Sequence, residues 1–306
     1  MFEDFYTLSA NHKKTLHWIG HFLGILCILF ICIKLAKHVE LVSLNGLITP
    51  MLVLNILVLS LVYALNLVLL AIGWRQLILS EGGWLSTQAS LYIYGKSQIA
   101  KYLPGNIFHL VGRQWLGSVH GLSQAMLIKS SLWEIGLIAI AAVLIGLNSL
   151  ANLFTTFSAM ILLMLIMIIA VAYVLTEFFK TGYVKAFYAY LIFHIIAGFL
   201  FALVLNLIAG DVFNQPVSLA ICISAYVLAW LVGFVTPGVP GGAGVREMVI
   251  LLLLGHSYPE QTLLIALVAG RIVTTIGDLF LYLAVSVNKS GTPESINPKQ
   301  SLPNAP

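Results

Sequence analysis

Uncharged apolar runs long enough to cross a bilayer dominate this 306-residue chain. About 20 residues at 1.5 Å rise cross the hydrocarbon as a helix. Lipid offers nothing to backbone N–H and C=O groups, so each run must satisfy its own hydrogen bonds. Spans are predicted at 17–36, 50–73, 124–147, 153–175, 186–209, 217–235 and 262–285. A composition of 60% hydrophobic and 8% charged residues, with mean hydropathy +1.01, excludes a soluble domain. The apolar material near 86–118 and 238–257 is interrupted and amphipathic, and reads as broken, re-entrant or half-spanning helices. The expected fold is an all-α polytopic bundle over 1–287 with about seven or eight transmembrane helices. Residues 288–306, rich in Asn, Ser and Pro, read as a disordered polar tail.

Both interruptions carry a Pro-Gly pair, with an arginine nine residues after the proline. The first is Lys101-Tyr-Leu-Pro104-Gly105-Asn106-Ile-Phe-His109-Leu-Val-Gly112-Arg113. The second is Thr236-Pro237-Gly238-Val-Pro240-Gly241-Gly242-Ala-Gly244-Val-Arg246-Glu247. Helix breakers and fixed charge are both costly in hydrocarbon, so their coincidence points to a site. Pro104 ends a helix, and Asn106 is a favourable N-cap for the next one. On that helix Asn106, His109 and Arg113 share a face. A helix N-terminus inside a membrane offers unpaired N–H groups, and with Lys101 and Arg113 close by it has the chemistry of an anion site. The alternative is an interfacial helix whose Lys and Arg reach the headgroups, the reading preferred for Lys96. In the second break Gly241, Gly242 and Gly244 can form an anion-binding nest. Arg246, in the first helical turn, opposes the dipole and needs a carboxylate or a bound anion, with Glu247 a possible partner. The alternative there is a structural kink with a local ion pair.

Glu134 and Asp278 lie inside apolar runs that follow the two breaks. Arg271 and Asp278 share a helix face but stand about two turns apart, too far for contact. Each acid is expected to meet a basic group on another element, such as Arg113 or Arg246, or to carry a coupling proton. The two stretches also share a Gly-x-Ser turn (Gly121 to Ser123, Gly255 to Ser257) before the acid-bearing helix. Transporters often place discontinuous helices at matching positions of two inverted repeats.

Lys13, Lys14, Arg75, Lys96, Lys101, Lys180, Lys185, Lys289 and Lys299 fall on one predicted side, which places both termini in the cytoplasm; Lys34 and Lys37 fall on the other. The first span has no cleavage site after it and is read as retained. Cys27, Cys32 and Cys222 lack metal spacing and read as packing residues. His17 and His21 flank Trp18 at the membrane edge and read as an interfacial belt. No nucleotide-binding fingerprint and no nucleophile elbow occur, so neither ATP hydrolysis nor another catalytic activity is expected, and no cofactor or metal is called for.

The stretches Lys101–Arg113, Thr236–Glu247 and Arg271–Asp278 resemble the transmembrane, flippase-like region of the lysylphosphatidylglycerol synthase family. The resemblance implies a lipid-translocating or lipid-binding bundle, with functional positions at Arg113, Arg246 and Glu247. Full-length synthases carry a soluble aminoacyl-transfer domain after the membrane region, whereas this chain stops at Pro306. Aminoacylation is therefore not among the expectations.

The expected function is inner-membrane transport of an anionic lipid, a phospholipid or a polyprenyl-phosphate-linked glycan. Lys101, Asn106, His109, Arg113, Gly241, Gly242, Gly244 and Arg246 would bind the phosphate. Glu134, Glu247, Asp278 and Arg271 would balance charge or carry protons. Phosphate-bearing membrane lipids are the expected partners, with glycosyltransferases of the same pathway possible and nucleic acid excluded. The rival readings are an integral-membrane transferase or hydrolase acting on a lipid phosphate, kept open by His109 beside Arg113, and a non-transporting scaffold for glycan-assembly or lipid-biosynthesis enzymes.

Overall fold

The computed structural model describes residues 49–102, 108–150, 157–210, 219–236, 242 and 244–287. Among them every regular element is helical, as hydrocarbon demands. The helices are α1 (Pro50–Ser80), α2 (Thr87–Gln98), α3 (Phe108–Val119), α4 (Gln124–Gly146), α5 (Phe157–Phe178), α6 (Thr181–Ala209), α7 (Leu219–Val235), α8 (Val245–Leu254) and α9 (Glu260–Val287). Short 3-10 turns follow α2 (Ile99–Tyr102) and α4 (Leu147–Leu150). The predicted span at 17–36, the tail at 288–306, and Asn106 and Gly241 lie outside the described residues.

Five helices (α1, α4, α5, α6 and α9) are long and apolar enough to cross a membrane, which makes this an all-α membrane protein. Local sequence sets their limits. Thr49 accepts from the Leu52 N–H at 3.1 Å and Pro50 occupies the first turn of α1, where its missing N–H costs nothing. Ser86 and Ser123 cap α2 and α4 in the same manner. Gly210, at φ 82°, closes α6 in the left-handed conformation. Two helices outrun their predicted limits. α1 continues past residue 73 to Ser80, because the Arg75 guanidinium is satisfied by the Leu85 carbonyl at 2.7 Å. α6 begins at Thr181, five residues before the predicted 186, with Gly182 fitted against the last turn of α1.

Polar side chains point inward and bond across helices, while the large exposed side chains of α1 and α5 are apolar or aromatic, mostly Leu, Ile, Val and Met with Tyr173 and Phe178 near the end of α5. Asn66 donates to the Phe193 carbonyl at 3.0 Å, Trp74 to Ser130 at 3.2 Å and Ser90 to the Ala71 carbonyl at 2.7 Å. Such bonds replace the hydrophobic driving force that helices lack in lipid.

One end of the bundle is fixed by Glu81, which meets Lys129 at 2.7 Å and the Tyr183 hydroxyl, and by Lys180 on the Ser80 carbonyl at 2.5 Å. There α1 ends while α4 and α6 begin. α2 starts at the same end, where Gly83 abuts Met126, and α3 returns to it, where Gly117 abuts Leu127. The Tyr92 and His120 rings, 6.1 Å apart, tie the two helices together. α7 and α8 come from the opposite end. Gly146, the last residue of α4, lies against Leu228, and α8 finishes beside the start of α9. Gly277 of α9 abuts Ser60 and Tyr63, while Val285 abuts Gly95, so α9 runs alongside α1 in the same direction and stops short of its end.

Close approach at glycine is a condition of this packing. A Cβ on Gly198 would lie 2.9 Å from the Ile223 carbonyl oxygen and 3.1 Å from its Cα, both backbone atoms that cannot step aside. At Gly136 an added Cβ meets nothing within 4 Å. Gly198→Ala is therefore expected to destabilise the protein by about 1–3 kcal/mol through overpacking. Gly136→Ala is expected to be neutral or stabilising by up to ~1 kcal/mol. Thermal unfolding in detergent checks both, and equal behaviour of the two variants counts against close packing at Gly198.

Candidate functional site

Described residues on either side of the two breaks line one cavity of about 100 Å³. Arg113 from α3 and Arg246 from α8 both line it, together with Lys101, His109, Glu134 and Arg271. Two arginines from opposite ends of the bundle thus face one space.

Arg113 is 1% exposed and is held by protein partners through Nη1, while its buried Nε has no hydrogen-bond partner among the described residues. Its Nη1 donates to Glu134 Oε2, and Glu134 Oε1 accepts from the Tyr94 hydroxyl at 2.9 Å. The guanidinium also lies 4.1 Å from the Tyr94 ring centroid and 5.4 Å from that of Trp74. A carboxylate and two aromatic faces make this a coherent way to keep an arginine in a dry interior. Glu134 is therefore the partner of Arg113, one of the two options the sequence offered.

Lys101, in the 3-10 turn after α2, meets Asp278 Oδ2 of α9 at 2.7 Å. The neighbouring Tyr102 hydroxyl donates to the same oxygen and lies 3.3 Å from Thr275 Oγ1. Asp278 thus pairs with neither arginine suggested for it. Its side chain is inaccessible, and Oδ1 has no hydrogen-bond partner among the described residues. His109 lines the cavity with its Nδ1 buried and likewise unpartnered.

The second break departs furthest from expectation. Glu247 does not pair with Arg246. Adjacent residues on a helix point about 100° apart, so the two side chains diverge. Glu247, in the third position of α8, reaches back to accept from the Gly244 N–H at 2.6 Å, and its other oxygen meets Arg271 Nε at 2.9 Å. A glutamate capping its own helix start uses the donor that an anion nest would need. Gly244, at φ 85°, therefore serves the cap rather than a ligand. Gly242 serves Arg246: a Cβ there would sit 2.8 Å from Arg246 Nε, and one on Gly233 would sit 2.6 Å from Arg246 Cγ. The two glycines form a slot that carries the arginine along α7 to the cavity, 5.7 Å from the Trp230 ring.

The balance of charge follows. Lys101, Arg113 and Arg271 each meet a carboxylate, namely Asp278, Glu134 and Glu247. Arg246 makes no ion pair among the described residues, and its buried Nε has no hydrogen-bond partner there. Four cations against three carboxylates leave a formal excess of one positive charge at the cavity. Tyr94, Tyr102, Trp230 and Gly233 complete the site without having been singled out in sequence. Gly233 and Trp230 sit three apart on α7, yet nothing in that spacing distinguishes them from ordinary packing residues.

A scan against protein-family models finds no match to this chain, and a search of curated proteins finds none similar to it.

Removing one member of a buried pair leaves the other uncompensated, at a cost of about 3–5 kcal/mol. Glu134→Leu is expected to destabilise the protein by that amount, and adding Arg113→Met to restore most of it. Thermal unfolding of purified variants in detergent measures this. A double variant no more stable than Glu134→Leu alone shows that the pair is not the cause.

Proposed function

We propose that this protein is an inner-membrane transporter that moves an anionic lipid between leaflets, with Arg246 as the residue that takes the lipid phosphate. The carrying observation is that Arg246 brings a full positive charge to an interior cavity where every other cation already meets a carboxylate. A desolvated guanidinium without a counter-ion is costly, and an anionic group offsets that cost. Guanidinium also suits phosphate, because its parallel N–H donors match two phosphate oxygens.

The placement of the breaks supports transport. α2–α3 and α7–α8 come from opposite ends of the bundle, and residues beside both breaks line one cavity. Two re-entrant segments related in this way have the layout of inverted repeats around a midplane site. α7, at 17 residues, reaches only about 25 Å, short of the hydrocarbon thickness of about 30 Å. With the 17–36 run counted as a crossing and the two re-entrant segments each returning to the side they enter from, the five long helices become six crossings, an even number in keeping with both termini in the cytoplasm. The resemblance to the flippase-like region of the lysylphosphatidylglycerol synthases rests on these same segments and belongs to this proposal. Phospholipids and polyprenyl-phosphate-linked glycans both supply the required phosphate. Movement would follow the lipid gradient or a coupled ion.

Reconstitution into liposomes with a fluorescently labelled phospholipid tests the reading. The wild type is expected to speed exchange between leaflets. Arg246→Gln is expected to reduce it by about tenfold or more, the equivalent of one lost charge-assisted hydrogen bond. Unaltered exchange in an Arg246→Gln protein that unfolds at the wild-type temperature sinks the assignment.

A further inference from the structure

We propose that Asp278 is the proton carrier of this cavity: a proton joins Asp278 as the lipid phosphate takes Lys101 from it. The inference rests on the anion-site reading above and adds a coupling residue and a stoichiometry.

Three carboxylates pair with cations that line the cavity, and their hydrogen bonds separate them. Glu134 uses both oxygens, on Tyr94 and Arg113. Glu247 uses both, on Gly244 and Arg271. Asp278 uses one: Lys101 and Tyr102 converge on Oδ2, while Oδ1 is buried and unpartnered among the described residues. A proton added to Glu134 or Glu247 joins an oxygen that already accepts from a donor, whereas Asp278 Oδ1 accepts from none among the described residues.

The charges around Asp278 show why that proton and an anion favour each other. The 3-10 turn presents Lys101 and Tyr102, and α9 itself presents Arg271 two turns back on the same face. α1 contributes Tyr63 and α7 contributes Tyr226, both within electrostatic reach. α8 brings Arg246, which acts on the same Lys101, and Glu247, held by Arg271. From α3, His109 lies within electrostatic reach of Lys101, while the Tyr94 of α2, the Tyr190 of α6 and Arg113 belong to the Glu134 cluster. The His194 of α6 is held by the Ile138 carbonyl. Protonating Asp278 therefore raises the excess at the cavity from one positive charge to two, and releases the Lys101 ammonium. Arg246 and Lys101 can then share one phosphate.

In the step itself, the proton comes from bulk water and bonds to Oδ1 of Asp278. The Lys101–Asp278 ion pair opens, and the ammonium pairs with a phosphate oxygen. No covalent bond of the lipid is made or broken. Linkage makes the coupling reciprocal: bound anion favours the protonated acid, and the protonated acid favours bound anion. A phosphodiester stays ionised throughout the neutral and mildly acidic range, so the pH response of binding belongs to the protein.

Calorimetric titration of the purified protein in neutral detergent with short-chain phosphatidylglycerol tests this. Repetition in buffers of different ionisation enthalpy counts the protons taken up per lipid. The wild type is expected to take up about one proton per lipid, with affinity rising by up to about tenfold per unit fall in pH. Asp278→Asn, close to the neutral acid in shape, is expected to bind the lipid with no proton uptake and no pH dependence. Binding by the wild type without proton uptake overturns the proposal and leaves the anion site standing. Uptake that survives in Asp278→Asn, or that is lost only with His109→Gln, overturns it as well. A wild type that binds no lipid at any pH overturns the anion site and the coupling together.

Discussion

Buried positive charge without water has to be matched locally, and the arrangement of this bundle follows from how that requirement is met. Three ion pairs join the broken segments to the continuous helices around them: Arg113 to α4, Lys101 to α9, and Glu247 of α8 to Arg271. Each pair anchors an interrupted segment beside its break, where a straight apolar helix would need no such anchor. The fourth cation has no carboxylate among the described residues, and it faces the cavity that Lys101, Arg113 and Arg271 also line. Structure and site are therefore tied, since the contacts that fix the breaks also determine which charge is left over.

Small residues supply the other half of the arrangement. Gly233 and Gly242 remove the side chains that would collide with Arg246, and the guanidinium is delivered through the gap. Gly277, one residue before Asp278, lets α9 approach α1, since a Cβ there would fall 2.8 Å from the Ser60 carbonyl oxygen. Membrane helices associate through such close approaches rather than through a hydrophobic gain, because lipid tails are as apolar as leucine. The same glycines thus serve packing and the placement of charge.

The continuous spans were legible in sequence because hydrocarbon makes length and apolarity sufficient signals. The breaks were legible for the converse reason, as Pro, Gly and Arg are each expensive there. Pairing was not. Glu247 follows Arg246 in the chain and looks like its partner, yet helical geometry turns it back to Gly244 and across to Arg271. Lys101 and Asp278 are separated by most of the fold, and no local pattern announces their contact. That α3 and α8 face one cavity depends on which ends of the bundle they come from, a matter of packing between distant helices. Gly244 shows the limit of reading glycine as a nest: a glycine-rich break offers N–H groups, but a glutamate three residues on can claim them first.

A transport site must bind strongly enough to load and weakly enough to release. If Glu247 had closed on Arg246, the excess charge would have passed to Arg271, and a phosphate would have to break an ion pair to reach Arg246. If all four cations were free, an anion would be held by several guanidinium and ammonium groups and would leave slowly. The observed distribution lies between these extremes, with one arginine open and one lysine tied by a carboxylate that has an oxygen to spare. In the proposed cycle, loading through Arg246 needs no pair to break, and the second cation would join only when Asp278 gives it up. Release would then begin with Asp278 reclaiming Lys101, so the acid that helps the anion bind would also supply the competitor that removes it.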